Sequence, residues 1–312
     1  MRIIFMGSAA FACPSLERLL ANPADEVVGI VTQPDRPKGR RLELAPCPVK
    51  DRLGNRGIPV FTPEKVNTPE SLAILGALRP DVIVVVAYGQ ILKPALLALP
   101  PLGCINVHGS LLPKFRGAAP IQWAVALGEQ VTGVTTMFLN ERMDAGDMIL
   151  KRELTIAGDD TGGTLHDKLA AVGADALAET MALLRAGRAP RVPQDENAAT
   201  VAPKLKKTDG RIDWTMPAQT IQNRLRAFNP WPGCQCELPA GSGRWVKILA
   251  AGMEPDGQAG PGAILSNAEA GPLVQTGAGA LRLLVVQPEG KKPMPGSAFV
   301  RGYPLRAGDR AG

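Results

Sequence analysis

No apolar run in this 312-residue chain is longer than Val82 to Ala87. A membrane-spanning helix needs roughly 18 such residues, so none is expected. The five cysteines, Cys13, Cys47, Cys104, Cys234 and Cys236, are odd in number and follow no framework spacing. That excludes a disulfide-stapled module and fits reduced thiols in a cytoplasm. Cys234-x-Cys236 is too closely spaced for a tetrahedral metal pair and has no second pair, and the only two histidines, His108 and His166, have no clustered cysteine or carboxylate at ligand spacing. No metal is therefore expected. A G-x-x-x-x-G-K-[ST] phosphate loop is missing, and Gly7 to Phe11 offers one glycine where a dinucleotide loop needs three. Nucleotide hydrolysis and nicotinamide chemistry are thereby disfavoured. The start of the chain, Arg2 to Met6 followed by Ala10-Phe11-Ala12, imitates a secretion signal. Its short apolar run is broken by Gly7-Ser8 and reads equally as a buried first strand, so a cytoplasmic protein is expected.

What is present is an ordinary globular composition, 45% hydrophobic and 21% charged, at a length suggesting about two domains. Short β-branched runs recur at Arg2–Met6, Val27–Thr32, Val82–Tyr88, Ile105–His108 and Val134–Leu139. Between them lie helical spacings, such as Leu72, Leu75 and Leu78 after the cap Thr68 and Pro69 at the first helical position. This alternation predicts a Rossmann-like α/β domain: a mostly parallel sheet with helices on both faces, and ligands outside the carboxyl ends of its strands. Thr164–Ala186 reads as one long helix, and the proline-rich, polar stretch after it as a linker. Beyond lie a helix at Ala218–Ala227 and short alternating runs separated by Gly and Pro, the pattern of a small β-barrel or sandwich. The expected domains are residues 1–188, a linker at 189–207, and residues 208–312.

Charge is unevenly placed. Residues 1–203 balance 21 basic against 21 acidic side chains, whereas residues 204–312 carry 14 basic and 8 acidic, so the whole excess of +6 lies in the carboxy-terminal third. That suggests a polyanionic partner, with a merely solvated face as the alternative. Arg36, Lys38, Arg40 and Arg41 form a second basic cluster between prolines and glycines, read as a loop suited to phosphate.

Chemistry concentrates around His108. Strand alternation sends Asn106 and His108 to one face, with Ile105 and Val107 on the other. A polar strand end capping a turn is the alternative reading. The run Val134–Leu139 leads into Asn140–Asp147, and if both strands share a sheet, a carboxylate from that loop can approach the pair. A carboxamide, an imidazole and a carboxylate suit attack of a neutral amine on a carbonyl: two donors meet the developing oxyanion and the carboxylate orients the histidine. His166, in a helical pattern, reads as structural. No nucleophile elbow or reactive-cysteine setting is present, which makes a covalent acyl-enzyme the weaker reading.

The stretch from Asn106-Val-His108-Gly-Ser110 through Pro113-Lys-Phe-Arg116-Gly117 to Gln122-Trp123, with Thr135-Thr-Met137 and Met143-Asp144-Ala-Gly146-Asp147, resembles the folate-dependent formyltransferases. The resemblance covers nearly the whole chain. It implies that Asn106, His108 and Asp144 carry catalysis, that Ser110, Leu111, Leu112 and Pro113 bind the co-substrate 10-formyltetrahydrofolate, and that Tyr88, Gly89, Gln90, Ile91 and Leu92 wall its pterin pocket. Those motifs are shared by enzymes acting on amino sugar nucleotides and on glycinamide ribonucleotide, so the flanks must decide the acceptor. Asp35–Arg41 resembles the basic insertion used on a tRNA acceptor end, and Lys204–Trp214 the interdomain linker. Arg226–Gly233 and Phe299–Gly302 resemble the oligonucleotide-binding barrel of the branch acting on methionyl initiator tRNA. The resemblance then implies tRNA contacts from Arg36, Lys38, Arg40, Arg41, Lys204, Lys206, Lys207 and Arg301, with no metal, no membrane and a monomer. A sugar-nucleotide formyltransferase would not need the basic tail, and a non-enzymatic RNA-binding protein would have no reason to keep the three catalytic residues.

Overall fold

A computed structural model describes the chain except residues 39–42, 267–269, 304 and 307. In chain order the strands of its first part are β1 (Arg2–Gly7), β2 (Glu26–Val31), β3 (Arg36–Lys38), β4 (Glu43–Ala45), β5 (Val60–Phe61), β6 (Val82–Val86), β7 (Cys104–His108), β8 (Arg116–Gly117), β9 (Val131–Phe138), β10 (Met148–Thr155) and β11 (Val201–Ala202). Seven form one sheet in the order β10-β9-β7-β6-β1-β2-β5, and β11 pairs with β8 apart from it. The pairings from β5 through β7 are parallel. β9 runs antiparallel to both β7 and β10. The central β6 is apolar at every position and wholly buried, as a strand covered on both faces must be. Each such aliphatic side chain contributes about 1.5–3 kcal/mol on burial.

Two sequence expectations change. The basic segment read as a loop forms, in Arg36–Lys38, one arm of an antiparallel pair with Glu43–Ala45. Pro37 hid that strand from the pattern, yet proline is tolerated where a strand has a free edge. Arg40 and Arg41 lie outside the described residues. Val134–Leu139 was expected among the strands whose carboxyl ends share one edge, but antiparallel β9 ends opposite the start of β7, where the Leu139 N–H donates to the Cys104 carbonyl.

The helix Gly162–Arg185 presents Leu169, Leu177 and Met181 to the core. At Gly173 it comes so close to β7 that a Cβ would stand 3.0 Å from Val107, and Thr180 bonds Thr136 of β9 at 2.7 Å. The Val107 face of β7 is thus covered by this helix, and Asn106 and His108 point to the opposite face.

The chain divides into two compact units. One comprises Met1–Pro120, Val131–Thr155 and His166–Ala202, the other Ile121–Gln130, Ile156–Leu165 and Pro203–Gly312. Residues 156–165 join the second because the Arg226 guanidinium donates to the carbonyls of Ala157, Gly158 and Asp160. Trp123 joins it through an edge contact with Phe228 and a 2.8 Å bond to the Pro203 carbonyl.

In the second unit β12 (Cys234–Glu237), β13 (Trp245–Glu254), β14 (Ile264–Ser266), β15 (Leu273–Gln275), β16 (Ala280–Pro288) and β17 (Met294–Pro295) form an antiparallel sheet in the order β12-β13-β16-β15-β14, with β17 also on β16. Residues 309–312 close it, bonding the main chain of Gly262 and Ile264 on one side and that of Glu237 on the other. Closure removes the edges an open sheet would expose. Cys234 and Cys236 both point into this core by strand alternation, and burial pushes each thiol up to about 12.

Candidate active site

His108 and Asn106 sit on β7 with 6% and 9% of their surface exposed. The histidine ring is fixed at one end, because Nε2 lies 2.9 Å from the Phe115 carbonyl oxygen and must therefore carry a proton and donate it. Nδ1 faces the Asp144 carboxylate, Oδ2 at 3.7 Å. This is an ion-pair distance, longer than a hydrogen bond. With Nε2 committed to Phe115, Nδ1 can donate to a ligand only when both ring nitrogens carry a proton. Among the described residues nothing is bonded to the Asn106 carboxamide, which remains available to a ligand.

Asp144 reaches this place by an indirect route. The loop leaves β9 beside Cys104, at the far end of β7 from His108, about 13 Å away at the usual strand rise. It returns through a tight turn: Asp144 has φ 50°, and a Cβ at Gly146 would fall on the Phe138 carbonyl oxygen. Its Oδ2 accepts a 2.8 Å bond from the Gly117 N–H. Gly117 has φ 122°, and a Cβ there would stand 2.6 Å from the Ala202 carbonyl oxygen. Gly117→Ala is therefore expected to destabilise the fold by about 1–3 kcal/mol through backbone strain and to reduce turnover by moving this donor. A thermal melt and a turnover assay check it, and a variant matching the parent in both removes the argument.

The residues expected to bind folate fall into two sets. Tyr88 and Leu92 belong to the buried core, and burial pushes the Tyr88 phenol up to about 12. The Gln90 side chain points inward, accepting from the Val66 N–H at 2.9 Å and donating to the Pro63 carbonyl. Only Gly89, with φ 93°, and Ile91, 69% exposed, are left to meet a ligand from that loop. In the other loop Leu112 is fully buried against Met137 and Met148, while Leu111 is half-buried. Ser110 donates to the Lys114 carbonyl at 2.7 Å. Thr135 ties the loop to β9, donating to the Ser110 carbonyl and accepting from the Leu112 N–H.

Sequence reasoning missed the residues behind these loops. Arg116 is 9% exposed and makes a forked pair with Glu196 at 3.0 and 3.1 Å, while Glu196 also takes Arg142 at 2.6 Å. Thr200 accepts from the Phe115 N–H at 2.8 Å. A buried arginine was the available signal, but its partners lie some 80 residues away. The two guanidiniums hold the Glu196 carboxyl down at about 2. A carboxyl depressed in the fold stabilises it fully above its ordinary value, roughly 4.3, and loses that contribution as pH falls toward the folded value. The gap in melting temperature between the parent and Glu196→Gln should therefore be level from pH 7 to 5 and narrow on further acidification. A gap that widens in acid contradicts the pairing.

His166 has a structural place, its ring edge-on to Phe11 and Nδ1 2.9 Å from Asp167. The basic residues Arg36, Lys204, Lys206, Lys207 and Arg301 are exposed. A surface groove of about 500 Å³ in the second unit, lined by Arg211, Gln235, Trp245, Lys247 and Gln287–Gly290, adds an arginine lying over a tryptophan ring at 5.3 Å. Among the described residues no cluster could hold a metal ion, and no helix is long and apolar enough to cross a membrane.

Two family profiles match, "Formyl transferase" over residues 1–181 and "Formyl transferase, C-terminal domain" over 204–304. The methionyl-tRNA formyltransferase of Geobacter sulfurreducens is 45% identical over all of this chain and 97% of its own length. That of Moorella thermoacetica is 47% identical, covering all of this chain and 99% of the relative. Among solved structures, an N-formyltransferase from Helicobacter canadensis, in complex with folinic acid and dTDP-3-aminofucose, aligns with a TM-score of 0.64 at 15% identity over 90% of this chain and 98% of that one. Full-length identity at this level, on a fold that brings His108 and Asp144 together beside Asn106, means that the chain belongs to the formyltransferase family, in its methionyl-tRNA formyltransferase branch.

Proposed function

We propose that this protein transfers the formyl group of 10-formyltetrahydrofolate to the α-amino group of methionyl initiator tRNA, giving the N-formylmethionyl-tRNA used to begin translation. The observation that carries the reading is the meeting of the His108 imidazole and the Asp144 carboxylate beside an unpartnered, nearly buried carboxamide at Asn106. The neutral amine attacks the formyl carbon, and the oxygen that gains charge is met by the Asn106 amide N–H and the His108 Nδ1–H. The bond from formyl carbon to N10 then breaks, the amine loses one proton and N10 gains one, leaving tetrahydrofolate. Asp144 orients the His108 ring toward the reaction, and its carboxylate takes up the amine proton.

Exposed Ile91, Gly89 and half-buried Leu111 suit the flat face of a pterin, with Ser110, Leu112, Pro113, Tyr88, Gln90 and Leu92 shaping those loops rather than all touching the ligand. Residues 1–188 would hold the chemistry and residues 208–312 the tRNA, with 189–207 joining them. Exposed Arg36, Lys204, Lys206, Lys207 and Arg301, with Lys38, Arg40 and Arg41, would supply phosphate contacts. The Arg211–Trp245 groove has the aromatic and cationic make-up that stacks an unpaired base. A monomer in the cytoplasm fits a two-unit chain acting on one tRNA.

The test offers labelled 10-formyltetrahydrofolate with methionyl initiator tRNA, methionyl elongator tRNA and an amino sugar nucleotide in parallel. Label on the initiator alone is the expected result. Label on the sugar nucleotide instead would overturn the acceptor, and label on none would overturn the activity.

A further inference from the structure

Residues 191–202, drawn from the stretch that composition marks as a linker, fasten both loops that carry the site. The first half holds the Asp144 loop. Val192 exchanges main-chain bonds with Met148 at 2.8 and 3.0 Å, and the Arg191 guanidinium lies 3.7 Å over the Phe138 ring. The second half holds the loop after His108. Thr200 and Ala202 accept from the N–H groups of Arg116 and Ala118, and the Thr200 hydroxyl accepts from the Phe115 N–H, whose residue supplies the carbonyl that fixes the histidine.

Gln194 ties the two halves together. Its amide nitrogen donates to the carbonyls of Asp144 and Gly146 at 2.8 and 2.9 Å, and its amide oxygen accepts from Arg116 Nε at 3.0 Å. Arg116 stands beside Gly117, whose N–H is bound to the Asp144 carboxylate. Both ends of the Asp144 residue, its carbonyl and its side chain, are thereby held by one connected set of bonds. The backbone at Asp144 is left-handed, φ 50°, a conformation uncommon outside glycine though better tolerated by Asp and Asn than by other residues, and these bonds hold it there.

We propose that Gln194 is a positioning residue for catalysis, acting through Asp144 by clamping its backbone against the Arg116 loop; this rests on the catalytic reading of Asp144 given above. Among the described residues no other side-chain amide bonds these two carbonyls. Two donors are required, 2.8–2.9 Å from two carbonyls of one turn, together with an acceptor for the guanidinium on the opposite side. A glutamate at 194 would satisfy the arginine and repel both carbonyls, and a methionine would fill the space and bond neither.

The experiment measures steady-state formyl transfer in Gln194→Met, Gln194→Glu, Asp144→Asn and the double variant Gln194→Met/Asp144→Asn. Each Gln194 variant should lose about 10- to 100-fold in kcat, with KM for the folate and for methionyl-tRNA within about twofold and the melting temperature within a few degrees, as for a group that acts on the transition state through geometry. In the Asp144→Asn background, Gln194→Met should cost less than about twofold, because residues acting as one unit are not additive. A kcat within twofold of the parent in Gln194→Met overturns the proposal, as do losses that multiply in the double variant. If Gln194→Met does not fold, Gln194→Glu against Asp144→Asn gives the same cycle. An Asp144→Asn variant of normal turnover would defeat the catalytic reading itself. Normal Gln194 variants beside a crippled Asp144→Asn would defeat only the clamp.

Discussion

Replacing Asp144 by asparagine is expected to lower kcat for formyl transfer by about 100-fold or more, with the affinity for methionyl-tRNA nearly unchanged. The substitution is close to isosteric. Asparagine accepts the Gly117 N–H bond through its amide oxygen and is among the residues that best tolerate φ 50°. The loop and its clamp therefore stay in place, and only the negative charge 3.7 Å from His108 Nδ1 disappears. Both side chains are largely screened from solvent, His108 with 7% and Asp144 with 15% of the side chain exposed. A 100-fold rate loss corresponds to about 2.7 kcal/mol, within the range lost when one group aimed at a transition-state charge is removed. Turnover near that of the parent, measured with tRNA at saturation, would show that the imidazolium does not depend on Asp144.

The parts of this site that could be read from the sequence were those written in a local repeat. Asn106 and His108 are two residues apart on a strand, and alternation alone places them on one face. For Asp144 the residues alone indicate only that a carboxylate of the loop after β9 can approach the pair, and the resemblance names which one. A shared sheet edge was expected, whereas antiparallel β9 delivers the chain to the other end of β7 and the loop must double back. The direction of a strand is set by its partners, and β9 carries no signal of it. Gln194 and Thr200 were invisible for a related reason. Their bonds run to backbone groups 50 and 85 residues away, where any side chain of suitable length leaves the same sequence pattern. Proline and polar residues marked 189–207 as a connection, and such residues also serve where a segment bonds loops rather than a regular ladder. In the barrel, alternation and turn residues announced the strands, but closure by residues 309–312 depends on main-chain groups alone.

Asn106→Ala should reduce kcat by about 100- to 1,000-fold, the range typical for loss of one oxyanion donor, without lowering the melting temperature. The two halves of that expectation have one cause. The Asn106 main chain is held on both sides, in register with Val85 of β6 and Met137 of β9, so truncating the side chain leaves the ladder intact. Asn106 as a residue is 9% exposed, and its carboxamide meets no partner among the described residues, so alanine breaks no hydrogen bond of the fold. On the proposed reading the catalytic gain is preorganisation, since a donor already aimed at the forming oxyanion needs no reorientation during the reaction. Thermal unfolding and steady-state kinetics on the same preparation separate this account from a structural one. A variant that melts several degrees lower and loses activity in proportion would make Asn106 a support of the sheet. One that melts at or above the parent and turns over hundreds of times more slowly would mark it as a group kept for the transition state.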